Sequence, residues 1–189
     1  MTALSIFRPS VPEGFEWVVP RDQVDFETFR QFDGTRRIQS WHPVAVELLR
    51  IDDDGVPRQP ADLPWLGDHV LVLTSRAVRV LGEVLLPFGE LLPLVCADSE
   101  LFVYNPLRVV DALDGERSKV VRFSSGRVMD IRQYVLRSEA IRGVHAFKIP
   151  EMTRGSLLVS SAVVEAVKNA DLRGTEFERV WADDAGSCQ

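Results

Sequence analysis

Apolar positions along this chain recur mostly at every second residue, in short runs, with helical spacing in only a few places. Val44, Val46 and Leu48 alternate with Ala45 and Glu47, the period of a half-buried strand over residues 44–50. The same reading predicts strands over 15–19, 70–73, 90–96, 101–104, 127–137, 144–149, 156–159 and 175–181. Helical spacing puts Phe26, Phe29 and Phe32 on or near one face of a short helix over 25–32, with Gly34 as its stop. Thr74 and Ser75 open a second helix with the stripe Ala77, Val78, Leu81 and Leu85, ended by Pro87 and Gly89. Asn105 and Pro106 read as an N-cap and first helical residue, with Leu107, Val110 and Leu113 inward and Gly115 as the stop. Ser138 opens a single turn that ends at Gly143. Ser160 caps a last helix with the inner stripe Ala162, Val163, Ala166, Val167 and Ala170, ended by Gly174. Residues 1–20 read as an irregular arm holding one strand. Asp52 to Gly55 reads as a turn, and a polar loop with Pro57, Pro60 and Pro64 runs to Gly67.

These elements imply an α+β fold of small mixed or antiparallel sheets with short helices. Two strand–helix–strand stretches, 71–98 and 156–183, align without a gap. Ser75 falls on Ser160 at an offset of 85 residues, and Leu73 on Leu158, Ala77 on Ala162, Gly89 on Gly174 and Val95 on Val180. We therefore expect an internal duplication of one unit, although a shared cap, stop and core grammar produces the same matches. The expected division is residues 1–66 as an N-terminal arm with a small α+β segment, and 67–189 as the core, either one domain or two packed lobes.

Composition narrows the function. At 189 residues, 46% hydrophobic and 26% charged, the chain is long and apolar enough to build a core. A net charge of −6 disfavours nucleic-acid binding, which needs a cationic face. The same charge would suit a basic partner, or serve solubility alone. Cys96 and Cys188 form no paired motif and read as free thiols in a reducing compartment. The first residues do not read as a signal peptide, and no apolar run reaches membrane-spanning length. The expectation is a cytoplasmic protein with no membrane partner.

Candidate chemistry is sparse. The sequence holds no nucleophile elbow, phosphate-binding loop, dinucleotide fingerprint or zinc-protease motif. His42, His69 and His145 lack metal-ligand spacing. If Gly55 is set at the sixth position of a calcium loop, Arg50 and Ala61 fall where acidic ligands are required, so that site fails. Ser124, Ser125, Gly126 and Arg127 form either an anion cup or a turn between strands. Trp17, Trp41, Trp65 and Trp181 are scattered without interleaved basic residues, so they read as core or edge aromatics or as interface anchors. These observations imply no cofactor, no metal and no catalytic residue.

An ordered set of short pieces then carries a resemblance. Phe32, Asp33 and Gly34 are followed by Trp41, His42 and Pro43, and Asp62, Leu63 and Pro64 lead to the run from Leu73 to Val78. Gly89 to Leu94, Val109 to Asp114, and Glu116, Arg117 and Ser118 come next. Phe147 to Pro150, Val159 with Ser160, Leu172 to Gly174 and Val180 with Trp181 complete it. Taken together, residues from about Phe26 to Trp181 resemble the eleventh immunity family of bacterial polymorphic toxin systems, formerly a domain of unknown function. The resemblance implies a small, non-enzymatic α+β protein that binds and neutralises one cognate toxin, as monomer or homodimer. A basic toxin such as a nuclease would complement the negative charge. An enzyme of unrecognised type and a dimerising adaptor are the competing readings. Two acidic patches are candidate toxin contacts. Asp111, Asp114, Glu116 and Arg117 read either as a contact surface at a helix end or as local braces of the turn after Gly115. Glu176 and Glu178 share one strand face, with Asp183 and Asp184 beyond them, and read either as a contact or as an ordinary exposed face.

Overall fold

Alternation dominates the pattern, and strands dominate the fold. The computed structural model describes residues 4–67 and 70–183. Along the chain come β1 (Ser5–Ser10), β2 (Trp17–Pro20), α1 (Phe26–Arg30), β3 (Val46–Leu49), β4 (Leu71–Thr74), α2 (Ser75–Leu85), β5 (Gly89–Pro93) and β6 (Leu101–Pro106). Then follow β7 (Lys119–Arg122), β8 (Val128–Gln133), α3 (Ser138–Ile141), β9 (Ala146–Phe147), β10 (Leu158–Ser160), α4 (Ser161–Asn169) and β11 (Glu176–Ala182). One sheet has the order β11-β1-β10-β9 and another β4-β6-β5, while β2 pairs with β3 and β7 with β8. Every pairing within these sheets is antiparallel, and with few short helices beside them the fold is α+β, as expected.

The two strand–helix–strand stretches adopt one topology. β4 and β5 lie on either side of β6, and β10 and β11 lie on either side of β1. The outer strands of each trio run antiparallel to the middle one. The middle strand has different origins: β6 follows its unit in the chain, whereas β1 comes from the N-terminus. Residues 5–10 are thus not part of an irregular arm. Their pairing is with β10 and β11, so nothing local in the sequence announces it.

α2 and α4 pack together over a shared core that includes Leu71, Leu73, Ala77, Leu81, Leu85, Tyr104, Val159, Val163 and Val167. Thr74 caps α2, its hydroxyl accepting from the Ala77 amide at 3.4 Å. Ser160 occupies the N-cap position of α4, but its hydroxyl is hydrogen-bonded to His145 Nδ1 at 2.8 Å and caps nothing. Both faces of β4 are covered, because Leu71 and Leu73 enter the helix core while Val70 and Val72 join Val18, Phe29, Phe32, Val46, Leu92 and Val103 on the other side. That double burial explains the uninterrupted apolar run of the sequence. A third cluster gathers Ile6, Ile131, Ile141, Phe147, Ile149 and Leu158.

The helix expected after Asn105 does not form. Asn105 and Pro106 extend β6, opposite Glu90 and Gly89. Beyond them the chain stays extended: Lys148 N donates to Arg108 O and Val110 N to Lys148 O, both at 2.8 Å, and Leu113 bridges Leu136. Cross-strand pairing of Val109 and Val110, β-branched residues that favour extension, outweighs the local cap signal. The polar loop to Gly67 is also more structural than its prolines suggest, since Ala61, Leu63 and Leu66 are buried and Trp65 bridges Trp17. Residues 124–126 are the turn of the β7–β8 hairpin. His69, Asp184 and Cys188 lie outside the described residues.

Candidate functional site

A buried polar side chain left without partners costs about 1–3 kcal/mol, more if charged. Three buried polar side chains enter this core at neighbouring places: Glu90 is 6% exposed, Asn105 0% and Lys148 1%. Strand alternation turns two of them inward. Glu90 is on the buried face of β5 with Leu92, and Asn105 follows Leu101 and Val103 on β6. The two are directly opposite each other.

All three brace one loop, residues 32–38. Lys148 Nζ donates to the Phe32 carbonyl at 2.6 Å. Asn105 Nδ2 donates to the Thr35 carbonyl and to Glu90 Oε1, each at 2.9 Å. Glu90 Oε1 also accepts the amides of Arg37 at 2.5 Å and Ile38 at 3.2 Å. Glu90 Oε2 is 3.7 Å from Arg36 Nη1. The loop adds its own bonds, Thr35 N to Asp33 Oδ1 at 3.1 Å and Arg37 Nη2 to Gln31 O at 2.6 Å. Burial pushes the Lys148 amine down to about 8, and the nearby Asp33 charge only partly opposes this. Burial alone would raise the Asp33 carboxyl, but hydrogen bonds from Thr35 and its own backbone, with the Arg37 guanidinium, hold it below the usual range.

A loop fixed from beneath by buried groups presents its outer residues in one geometry. On its outer side is a cavity of about 340 Å³, walled by Gly34 and Arg36, by the segment from Leu86 to Gly89, and by Leu107 and Arg108. Gly34 has φ +99°, and a Cβ there would stand 2.6 Å from Val109 Cγ2, so the close approach of the two walls depends on glycine. Replacing Glu90 by Gln keeps an acceptor for Arg37 N and Ile38 N but removes its charge. We expect faster hydrogen exchange at both amides and a loss of about 1–2 kcal/mol in urea unfolding. Unchanged exchange at both would show that Glu90 does not hold the loop.

The acidic candidates are placed differently. Asp111 and Asp114 are not on a helix face. Asp111 Oδ1 accepts from Arg137 Nη2 at 2.6 Å. Asp114 Oδ1 accepts the amides of Glu116 and Arg117 at 3.2 and 3.1 Å, and its Oδ2 is 4.0 Å from Arg117 Nη1. Ser118 bonds both backbone groups of Val135. These are the bonds that bracing of the turn requires. On β11, Glu178 pairs with Arg8 at 2.5 Å, Glu176 is exposed, and Phe177 turns to the helix core. The structure does not bring these residues to the cavity. Trp17 packs at a tilt against Trp65 with Arg58 over its ring, Trp41 packs against Phe29 and Phe32, and Trp181 against the third cluster. Cys96 is half-buried and free. Among the described residues no three His, Cys, Asp or Glu side chains group to hold a metal ion, and no helix is long and apolar enough to cross a membrane.

Sequence reasoning missed the braces of the loop. The signal was available at Glu90 and Asn105, polar residues at inward positions of alternating strands, but Asn105 was spent on a helix cap that does not form. For Lys148 the local pattern gives no such sign, because its neighbours Phe147 and Ile149 are buried too.

Residues 97–182 match the model of an immunity protein family, Imm11. That is the family of the resemblance, although the matched stretch begins well after Phe26 and contains Asn105 and Lys148 but neither Glu90 nor the loop they support. No curated protein matches the chain.

Proposed function

We propose that this chain is an immunity protein that binds one cognate bacterial toxin in the cytoplasm and blocks its active site or substrate path, without chemistry of its own. The observation that carries this reading is the match of residues 97–182 to the Imm11 immunity protein family, which suggests an immunity function. Inhibition by binding asks for a rigid surface of about 800 Å² on each partner and for no catalytic group. A loop pinned by three buried side chains supports such a surface. The net charge of −6 favours a toxin that is basic overall, as a nuclease is, because opposite charge accelerates encounter. Glu116 and Glu176, both exposed, would contribute to that attraction, as would Asp111 and Glu178 at the edges of their ion pairs.

Co-expression with the protein encoded immediately upstream tests the reading. The expected result is restored growth together with a complex that survives purification. Restored growth without a complex would point to enzymatic protection. No rescue from a neighbour that is toxic alone would overturn the proposal.

A further inference from the structure

The cavity beside the 32–38 loop carries charge of the wrong sign for an acidic protein. Arg36 and Arg108, from two different segments, both line it. Arg108 is exposed and makes no side-chain ion pair or hydrogen bond among the described residues. Arg36 is largely exposed, and its partner Glu90 is buried, 3.7 Å away and already bonded to Arg37, Ile38 and Asn105. Among the loop, its braces and the cavity lining, the cations are Arg36, Arg37, Arg108 and Lys148 and the carboxylates are Asp33 and Glu90. The surplus is positive, and it is presented outward by the two arginines. Apolar surface adjoins them: Leu86 on one wall is 51% exposed, and Val109, against Gly34, is 38% exposed.

We propose that this cavity is the contact point for the toxin, and that it receives an acidic side chain carried on a protruding loop of that toxin, gripped between Arg36 and Arg108. The inference rests on the immunity reading and adds the site and the chemistry of the group it takes. Arginine suits the task because its planar fork meets a carboxylate with two parallel hydrogen bonds, and because it is enriched in the central contacts of protein interfaces, where lysine is depleted. The volume, about 340 Å³, is at the low end for a small-molecule site and suits one inserted side chain. The buried braces give the mechanism its rigidity. The backbone that carries Arg36 does not have to be ordered on binding, because the amides and carbonyl next to it are already fixed by Glu90 and Asn105. A local acidic knob is compatible with a toxin that is basic overall: the net charges steer the encounter, and the knob sets the register.

The test uses the full chain and the purified protein encoded immediately upstream, with titration calorimetry for affinity and growth rescue for protection. Arg36→Glu with Arg108→Glu should weaken binding roughly 100-fold or more and abolish rescue. Arg108→Ala alone should weaken it about 10-fold. The control pair Arg132→Glu with Arg142→Glu, which makes the same change of net charge at exposed positions outside the cavity, should leave binding within about 3-fold. Thermal melts of all variants check that they fold. Because both arginines are on the surface, Arg36→Lys with Arg108→Lys gives a second, milder probe that keeps the charge and loses the fork. Toxin variants that regain binding to the charge-reversed chain should exchange an Asp or Glu for Lys or Arg. If the reversed pair binds within about 3-fold of the original, or if the control pair loses binding as fully, the cavity is not the contact point, while the immunity reading stands. If the unaltered chain does not bind its toxic neighbour at all, the immunity reading fails and this inference falls with it.

Discussion

Gly174→Ala should melt about 10 °C below the unaltered protein. Two costs combine. Gly174 has φ +98°, a conformation that L side chains rarely adopt, worth about 1–3 kcal/mol of strain. The added Cβ would stand 2.4 Å from Ala61 Cβ and 2.8 Å from the Leu63 carbonyl oxygen. Those neighbours cannot yield easily. Asp62 N and Leu63 N both donate to Arg173 O at 2.9 Å, Asp62 Oδ2 accepts from Arg173 N and from Arg76 Nη1, and Thr74 N donates to Asp62 O. Relieving the overlap would break the bonds that tie α2 and β4 to the end of α4. We expect about 3–5 kcal/mol in all, and a domain of this size loses about 2–4 °C per kcal/mol. Gly55→Ala is the matched comparison. It has φ +82° with nothing within 4 Å of the added Cβ, so it carries strain alone, about 1 kcal/mol and a few degrees. Scanning calorimetry on the two variants separates packing from strain, and equal losses would show that the contact with Ala61 and Leu63 is not tight.

Raising the pH from 7.5 to 10 should stabilise the protein, and Lys148→Met should remove that gain. Below about pH 8 the amine is protonated in both the folded and unfolded states, and its burial is then most costly. Between about 8 and 10.5 the folded chain has released the proton while the unfolded chain still holds it, so stability rises with pH by about 1.4 kcal/mol per unit, some 3 kcal/mol over the interval. Two tyrosines oppose this at higher pH. Burial raises the phenols of Tyr104 and Tyr134, so above pH 10 the unfolded chain loses protons that the folded chain keeps, and stability falls again. The maximum is therefore expected near pH 10. Urea unfolding of the two proteins at each pH isolates Lys148, because the variant shares every other titration. A difference between them that does not change from pH 7.5 to 10 would mean that Lys148 is not buried as a titrating amine.

Much of the fold is written in local spacing. The stripe Ala77, Leu81 and Leu85, with Thr74 before it, defines α2 without further help, because 3.6-residue periodicity and a cap are properties of a few adjacent residues. The run before Thr74 and the alternation around Val46 define strands for the same reason. The glycines that align across the two units prove to be places of close approach, Gly174 against Leu63 and Gly89 against the Tyr104 ring, where a Cβ would overlap at 2.4 Å. The sequence reading took both only as helix stops. The loop that forms the candidate site was in view as Phe32, Asp33 and Gly34, but its function as one wall of a cavity was not.

What the chain determines by itself is the type of each element whose signal is local, together with the overall balance of strands over helices. Tertiary structure decides the rest. β1 is a strand because β10 and β11 leave a place between them, and the partners lie about 150 to 180 residues away in sequence. Residues after Pro106 are extended because backbone bonds to Lys148 and Leu136 win over a capping signal spread across two residues. Glu90, Asn105 and Lys148 meet under one loop because sheet register sets two of them opposite each other and a distant segment delivers the third. Hydrogen-bonded partners across sheets obey register and burial, and neither is encoded within the few residues that a local pattern spans.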